Sequence, residues 1–245
     1  MLDVIIICGG KGTRMKKSNI SGPKILYKFA NKYLFEHIIT SIKNISYTSL
    51  SFLCNKKNIN QISSKIKKNF NDKKKKLRFL EETIEMGTGG FIYNNINNFS
   101  DDLLVIYGDL IVNFDLNFFY NYYKKNNLNC LICTQDNGHY YDSDLVKIEK
   151  KNNITKIMKK PHQFKQNPSN IYAIEPIILI KKKLIKDFNF KKNKIDFIHD
   201  IIHKLIDNKN IKISAYKFDK LKNSSSYIAD CGVPERYLFL KSILG

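Results

Sequence analysis

Between Cys8 and Lys24 the chain reads CGGKGTRMKKSNISGPK, a glycine-rich stretch with an arginine at 14 and a lysine at 24. Glycines 9, 10 and 12 let the backbone come within hydrogen-bond distance of a bulky ligand, because no side chain intervenes. Arg14 and Lys24 add fixed positive charge beside that bare backbone. The chemistry served is phosphate binding, and a nucleoside triphosphate is the ligand it fits. Two better-known phosphate loops do not fit. The Walker string Gly-x-x-x-x-Gly-Lys-Ser/Thr is missing from the sequence. The dinucleotide pattern Gly-x-Gly-x-x-Gly starts at Gly10 and Gly12 but meets Met15 where its third glycine belongs.

Two carboxylates complete a candidate site. Leu103 to Tyr107 is an apolar strand followed by Gly108 and Asp109, and Asp230 lies within Ile228-Ala-Asp-Cys-Gly-Val-Pro-Glu-Arg-Tyr237. Mg²⁺ takes oxygen ligands, commonly one or two carboxylates plus substrate phosphates, so Asp109 and Asp230 suffice as metal ligands. The bland alternatives are a turn residue at 109 and, at 230, a residue just ahead of a helix begun by Pro234. Two decoys are set aside. His199 and His203 have the spacing of a zinc helix, but Asp200 is one methylene shorter than the required glutamate and no third ligand is evident. Cys130 and Cys133 lie in a strand, where positions three apart face opposite ways, so they read as core cysteines.

From Gly9 to Tyr237 these motifs resemble the sugar-1-phosphate nucleotidyltransferases. Gly9-Gly-x-Gly-Thr-Arg14 with Pro23-Lys24 is similar to that family's opening. Glu85-Met-Gly-Thr-Gly-Gly90 resembles the segment whose backbone frames the nucleobase, and Asp230-x-Gly-x-Pro-Glu-Arg-Tyr237 its closing motif. Asp142-Ser-Asp-Leu-Val146, Lys160-Pro-His162 and Asn170-Ile-Tyr-Ala173 resemble the sugar-phosphate part. The resemblance covers nearly the whole chain, in order, and points to the branch making nucleotide-activated heptose or mannose for surface polysaccharides. It implies nucleotide binding by Cys8, Gly9, Gly10, Gly12, Thr13, Glu82, Met86, Gly87, Thr88 and Gly108. Arg14, Lys24 and Lys160 would handle phosphates during catalysis, and Asp144 and Asn170 would contact the sugar. The implied partners are an NTP, with GTP favoured, and a sugar 1-phosphate; a uridylyl- or cytidylyltransferase acting on another phosphorylated acceptor is the alternative within the same chemistry. Glu85, Lys159, Ile171 and Cys231-Gly-Val233 depart from the common pattern. A sugar-nucleotide sensor of the same fold should have lost Arg14, Lys24 or a metal carboxylate, and all are kept.

The elements that must position these residues follow from periodicity. Strands are expected near 3–8, 49–54, 77–81, 103–107 and 129–134, alternating with helices near 32–46, 57–69, 88–97 and 115–126. In the second half strands are expected near 145–149, 154–158, 170–175, 211–217 and 226–230, with helices near 195–208 and 234–243. That alternation predicts an α/β fold: a Rossmann-like mixed, mostly parallel sheet with helices on both faces. In such sheets ligands lie beyond the carboxyl ends of the strands, where both the Gly9 loop and Asp109 fall. With no Gly/Ser/Pro-rich linker, residues 1–245 are expected to form one nucleotidyltransferase domain, nucleotide part about 1–135 and sugar-phosphate part about 136–245.

A chain of 245 residues with 43% hydrophobic content is long enough for a full core. Apolar runs stay below the roughly 18 residues that span a bilayer, and Asp3 and early glycines are unlike a signal peptide. A cytoplasmic enzyme without a membrane partner is expected, with homo-oligomerisation left open. The five cysteines do not form a disulfide framework. The formal charge of +20 could mark a nucleic-acid surface. The lysines are spread over most predicted helices, however, and accompany an Asn- and Ile-rich composition. A solvated face that also attracts anionic substrates is the reading taken, with no nucleic-acid partner.

Overall fold

Six consecutive buried residues, Leu2–Ile7, form strand β1 at the centre of a nine-stranded sheet. Fully buried runs of this kind belong to strands covered on both faces. A computed structural model describes residues 1–10, 15, 18–70, 75–136, 140–162, 169–191, 193–208, 210–218 and 226–244. A short hairpin of β2 (Lys28–Phe29) and β3 (Lys32–Tyr33) leads into helix α1 (Leu34–Ser41). Then follow β4 (Ser49–Asn55), α2 (Ile59–Asn69), β5 (Lys76–Glu82), α3 (Gly87–Asn94) and β6 (Asp102–Tyr107). Strand β7 (Leu110–Asn113), α4 (Asn117–Lys125), β8 (Cys130–Gln135), β9 (Leu145–Ile148) and β10 (Ile154–Met158) come next. The chain finishes through β11 (Ile171–Lys181), α5 (Lys183–Lys186), α6 (His203–Asp207), β12 (Ser214–Phe218), β13 (Tyr227–Asp230) and α7 (Pro234–Leu244).

The main path of the sheet is β10-β9-β11-β6-β1-β4-β5, with β8 on the other side of β11 and β12 beyond it. Strands β6, β1, β4 and β5 pair in parallel, whereas β11 is antiparallel to β6, β8 and β9. Val4 and Ile6 belong to one apolar cluster, with Leu34 and Ile38 of α1, Ile62 of α2 and Phe119 of α4. Ile5 and Ile7 belong to the other, with Ile92 of α3 and Leu205 of α6. Side chains alternate across a strand, so this division places helices on both faces, as expected. Cys133 and Cys130 likewise fall in opposite clusters.

Several elements differ from expectation. The helix anticipated over 32–46 begins only at Leu34. Ala30 and Asn31, at φ 47° and 62°, first turn the β2–β3 hairpin, and the Glu36 carboxylate then accepts from the Tyr33 amide at 2.7 Å. The strand expected over 170–175 runs on to Lys181. Pro176 lies at its irregularity, where the register against β8 shifts between Glu175 and Ile178, because proline cannot donate to the ladder. The helix expected over 195–208 opens as a π-helical turn, Phe197–Ile202, before α6. Strand β7 was not anticipated. Among the described residues no helix is long and apolar enough to cross a membrane.

Candidate active site

The carboxyl ends of β1 and β6 meet where the glycine stretch begins. The Gly108 amide donates to the Ile7 carbonyl at 2.9 Å. A Cβ on Gly108 would stand 2.9 Å from that same oxygen and 3.4 Å from Cys8 Sγ, so only glycine allows the two ends to close. Beyond Cys8, a Cβ on Gly9 would come within 3.2 Å of Glu82 Oε2, and one on Gly10 would meet nothing within 4 Å. Gly10 therefore presents bare backbone to open space, whereas Gly9 fits closely against Glu82. Gly12, Thr13 and Arg14 lie outside the described residues.

Asp109 follows Gly108, and the unanticipated β7 then brings Asp230 beside it. Strand β13 pairs antiparallel to β7 with Asp230 opposite Leu110. The next residue, Cys231, donates its amide to the Asp109 carbonyl at 2.9 Å. Lys24, at the start of a single 3-10 turn, reaches the same place: its ammonium donates to Asp109 Oδ2 and to the Gly232 carbonyl, both at 3.0 Å. Gly232 marks the convergence. A Cβ there would sit 2.7 Å from Asp230 Oδ1, 2.9 Å from Asp109 Oδ2 and 3.3 Å from Lys24 Nζ. Asp230 also accepts from the Gly232 amide and from Arg236. Burial, and then the neighbouring Asp109 charge, push the Asp230 carboxyl above its usual range; Arg236, the Gly232 amide and Lys24 oppose the shift. Two carboxylates converging on Gly232, which has no side chain of its own to intrude, suit a hard cation whose other ligands come from phosphates and water. Among the described residues no group of three or more His, Cys, Asp or Glu could hold a metal by itself.

The segment expected to frame a nucleobase is joined firmly to residues far ahead in sequence. Glu82 Oε1 accepts from the Met86 amide at 2.7 Å, and burial raises the Glu82 pKa. Met86 and Gly89 bracket Ile195: the Ile195 amide donates to the Met86 carbonyl, and the Gly89 amide to the Ile195 carbonyl, each at 2.8 Å. Gly87 adopts φ 81°, and a Cβ on it would lie 2.5 Å from the Ile195 oxygen. Thr88 Oγ1 donates to Asp196 at 2.9 Å and accepts from the Phe197 amide and from the Tyr107 hydroxyl. Burial and the Asp196 charge hold the Tyr107 hydroxyl protonated.

Asp196 caps the π-helical turn through the amides of Ile198 and His199. The His199 ring then meets Asp144 Oδ2 at 2.7 Å, while Asp144 Oδ1 accepts from the Lys160 amide at 3.2 Å. His203 turns instead to Asp207 at 3.1 Å, so the two histidines do not converge on one metal. Asn170 and Lys160 are exposed. Asn170 sits at φ 64° and its carbonyl accepts from Ile148. The structure thus gathers Lys24, Asp109 and Asp230 at one point and links Thr88 to Asp144 through Asp196 and His199. Periodicity gave no sign of His199 as a partner of Asp144, because that contact depends on the π-helical turn.

A family model described as nucleotidyl transferase matches residues 3–239. The bifunctional protein GlmU of Methanococcus aeolicus is 28% identical over 213 residues, 86% of this chain and 48% of that protein. A Sulfolobus acidocaldarius protein provisionally named a mannose-1-phosphate guanyltransferase is 27% identical over 97% of this chain and 62% of its own. The chain spans about half the length, or less, of the GlmU relatives that it matches. Among solved structures, HddC from Yersinia pseudotuberculosis has a TM-score of 0.73 at 24% identity, with all of both chains covered. A UDP-glucose pyrophosphorylase complexed with UDP-glucose has a TM-score of 0.77 at 17% identity, covering 99% of this chain and 98% of that one. At these identities the structural likeness speaks to fold, and the nine-stranded mixed sheet agrees with it.

Proposed function

The chain belongs to the nucleotidyl transferase family, and on that premise we propose that it transfers a nucleotidyl group from an NTP to a sugar 1-phosphate. A heptose or mannose type of sugar and GTP are the favoured substrates, and the product would feed polysaccharide synthesis. The observation that carries the reading is the convergence of Lys24, Asp109 and Asp230 on Gly232, together with the bare backbone of Gly10 facing open space.

An oxygen of the sugar phosphate attacks the α-phosphorus in line, a new P–O bond forms, and the bond to the bridging oxygen of pyrophosphate breaks. The attacking phosphate is already ionised near neutral pH, so no general base is required. Positioning and charge neutralisation do the work. Asp109 and Asp230 would hold Mg²⁺, which when bound supplies positive charge to the phosphates. The Gly9–Gly10 backbone admits the triphosphate, Lys24 binds about the α-phosphate, and Arg14 neutralises the leaving pyrophosphate. Met86, Gly87 and Thr88 border the base; Lys160 holds the incoming phosphate, and Asp144 and Asn170 face the sugar. Removing one such preorganised charge costs about 10²–10³ in rate.

The deciding experiment measures pyrophosphate release for four NTPs against heptose, mannose and glucose 1-phosphates. Turnover with at least one pair is expected, together with near-complete loss in folded Asp109→Ala and Arg14→Ala. Wild-type turnover in either variant would overturn the mechanism, and silence with every pair would overturn the function.

A further inference from the structure

Arg236 has no part in the mechanism so far, yet it lies between the two halves of the site. One guanidinium nitrogen donates to Asp230 Oδ2 and the other to Asp142 Oδ2. Arg236 is 30% exposed and each carboxylate 36%, so this bridge is less open to screening than a surface pair. A planar guanidinium offers donors in a fixed fork, which can tie two carboxylates at set positions. Asp142 Oδ1 is buried without a hydrogen-bond donor among the described residues, so Arg236 is the described group that holds this carboxylate.

Asp142 ends the 3-10 turn Tyr140–Asp142, and the residues around it carry the Lys160 segment. The carbonyl of Tyr141 accepts from the His162 amide, the carbonyl of Ser143 meets the His162 ring at 3.0 Å, and Asp144 accepts from the Lys160 amide. A continuous path therefore runs from Asp230 through Arg236 and Asp142 to the backbone of Lys160. We infer that Arg236 is a positioning residue that registers the acceptor-binding segment against the carboxylate Asp230. Asp230 and Lys160 carry their roles only under the proposed function, so the coupling rests on that reading.

The test is a double-mutant cycle of Arg236→Gln and Asp142→Asn on the sugar 1-phosphate that the wild type uses best. Asp142→Asn is expected to raise the acceptor KM about tenfold with kcat changed by less than about threefold, since misplacement acts on binding geometry. Arg236→Gln should raise KM by a similar factor and also lower kcat, because Asp230 loses its partner. The double variant should show no greater KM than Arg236→Gln alone. Calorimetric titration with the product nucleotide sugar, which needs no turnover, should show the same weakening in Asp142→Asn. A well-folded Asp142→Asn with KM and product affinity within about twofold of wild type overturns the inference, as do KM losses that multiply in the double variant. Should Arg236→Gln fail to fold, Asp142→Asn decides alone. A wild type inactive on every acceptor sinks the functional reading and this inference together, whereas an active wild type with an unaltered Asp142→Asn sinks only the inference.

Discussion

Gly232 shows how much a missing side chain can matter. Its bareness lets Asp109, Asp230 and Lys24 approach one point, and an added methyl would stand inside contact distance of all three. Gly232→Ala is therefore expected to lower kcat by about 10²-fold, the scale of a displaced preorganised group, while melting within a few degrees of wild type. Pyrophosphate release and a thermal melt check the two halves of that statement. His37 supplies a pH prediction away from the site. Burial lowers its pKa below 6.5, with Lys32 adding to the shift and the Phe29 carbonyl and Glu36 opposing it. The unfolded chain then takes up the proton first, so His37 costs no stability above its unfolded pKa, and stability is lost as the pH falls below it. Urea unfolding at pH 7.5 and 5.5 should show a smaller acid loss in His37→Gln than in wild type. The amide of glutamine can still donate to the Phe29 carbonyl, which the ring meets at 3.1 Å.

The elements divide between those that local pattern announces and those that partners create. Strands β1, β4, β6 and β8 were legible as apolar runs, and Asp109 as a carboxylate at a strand's carboxyl end, because burial on both faces leaves little choice of residue. Strand β7 was hidden: its four residues become a strand only through β13, which lies more than a hundred residues later. The two residues of β3 were read as the start of the helix over 32–46 because Leu34, Ile38, Ile42 and Ile45 keep helical spacing, and Ile42 and Ile45 stay buried after α1 has ended. Met86-Gly87-Thr88 was found by resemblance, but its attachment to Ile195 and Asp196 was not, since it depends on the π-helical turn packing against α3. That attachment can be tested. Gly87→Ala places a side chain at positive φ and against the Ile195 carbonyl, so a loss of about 2–4 kcal/mol is expected in chemical denaturation. The KM for the nucleotide should rise with it.

Across the whole molecule the formal charge is +20. Both proposed substrates are polyanions, and a positive field raises their encounter rate in a salt-dependent way. Raising ionic strength from about 20 to 200 mM should lower kcat/KM for the nucleotide several-fold while kcat changes little. An unchanged kcat/KM would mean that the lysines serve solvation alone. The fold class was legible at this scale because alternating strands and helices admit few topologies. The mixed sense of the sheet was less so, because β11 pairs with β6 on one edge and β8 on the other, a long-range choice without a local signature.

The union of β13 with β7 sets an order in time as well as in space. The contact of Cys231 with Asp109 spans 122 positions, and pairing over such a distance closes late because the intervening loop must first be ordered. During synthesis Asp109 and its strand emerge long before Asp230 can join them. A nascent chain can thus shelter most of its apolar core while the carboxylate pair is still half made. Under the proposed function, chemical competence would then follow the assembly of the core rather than accompany it.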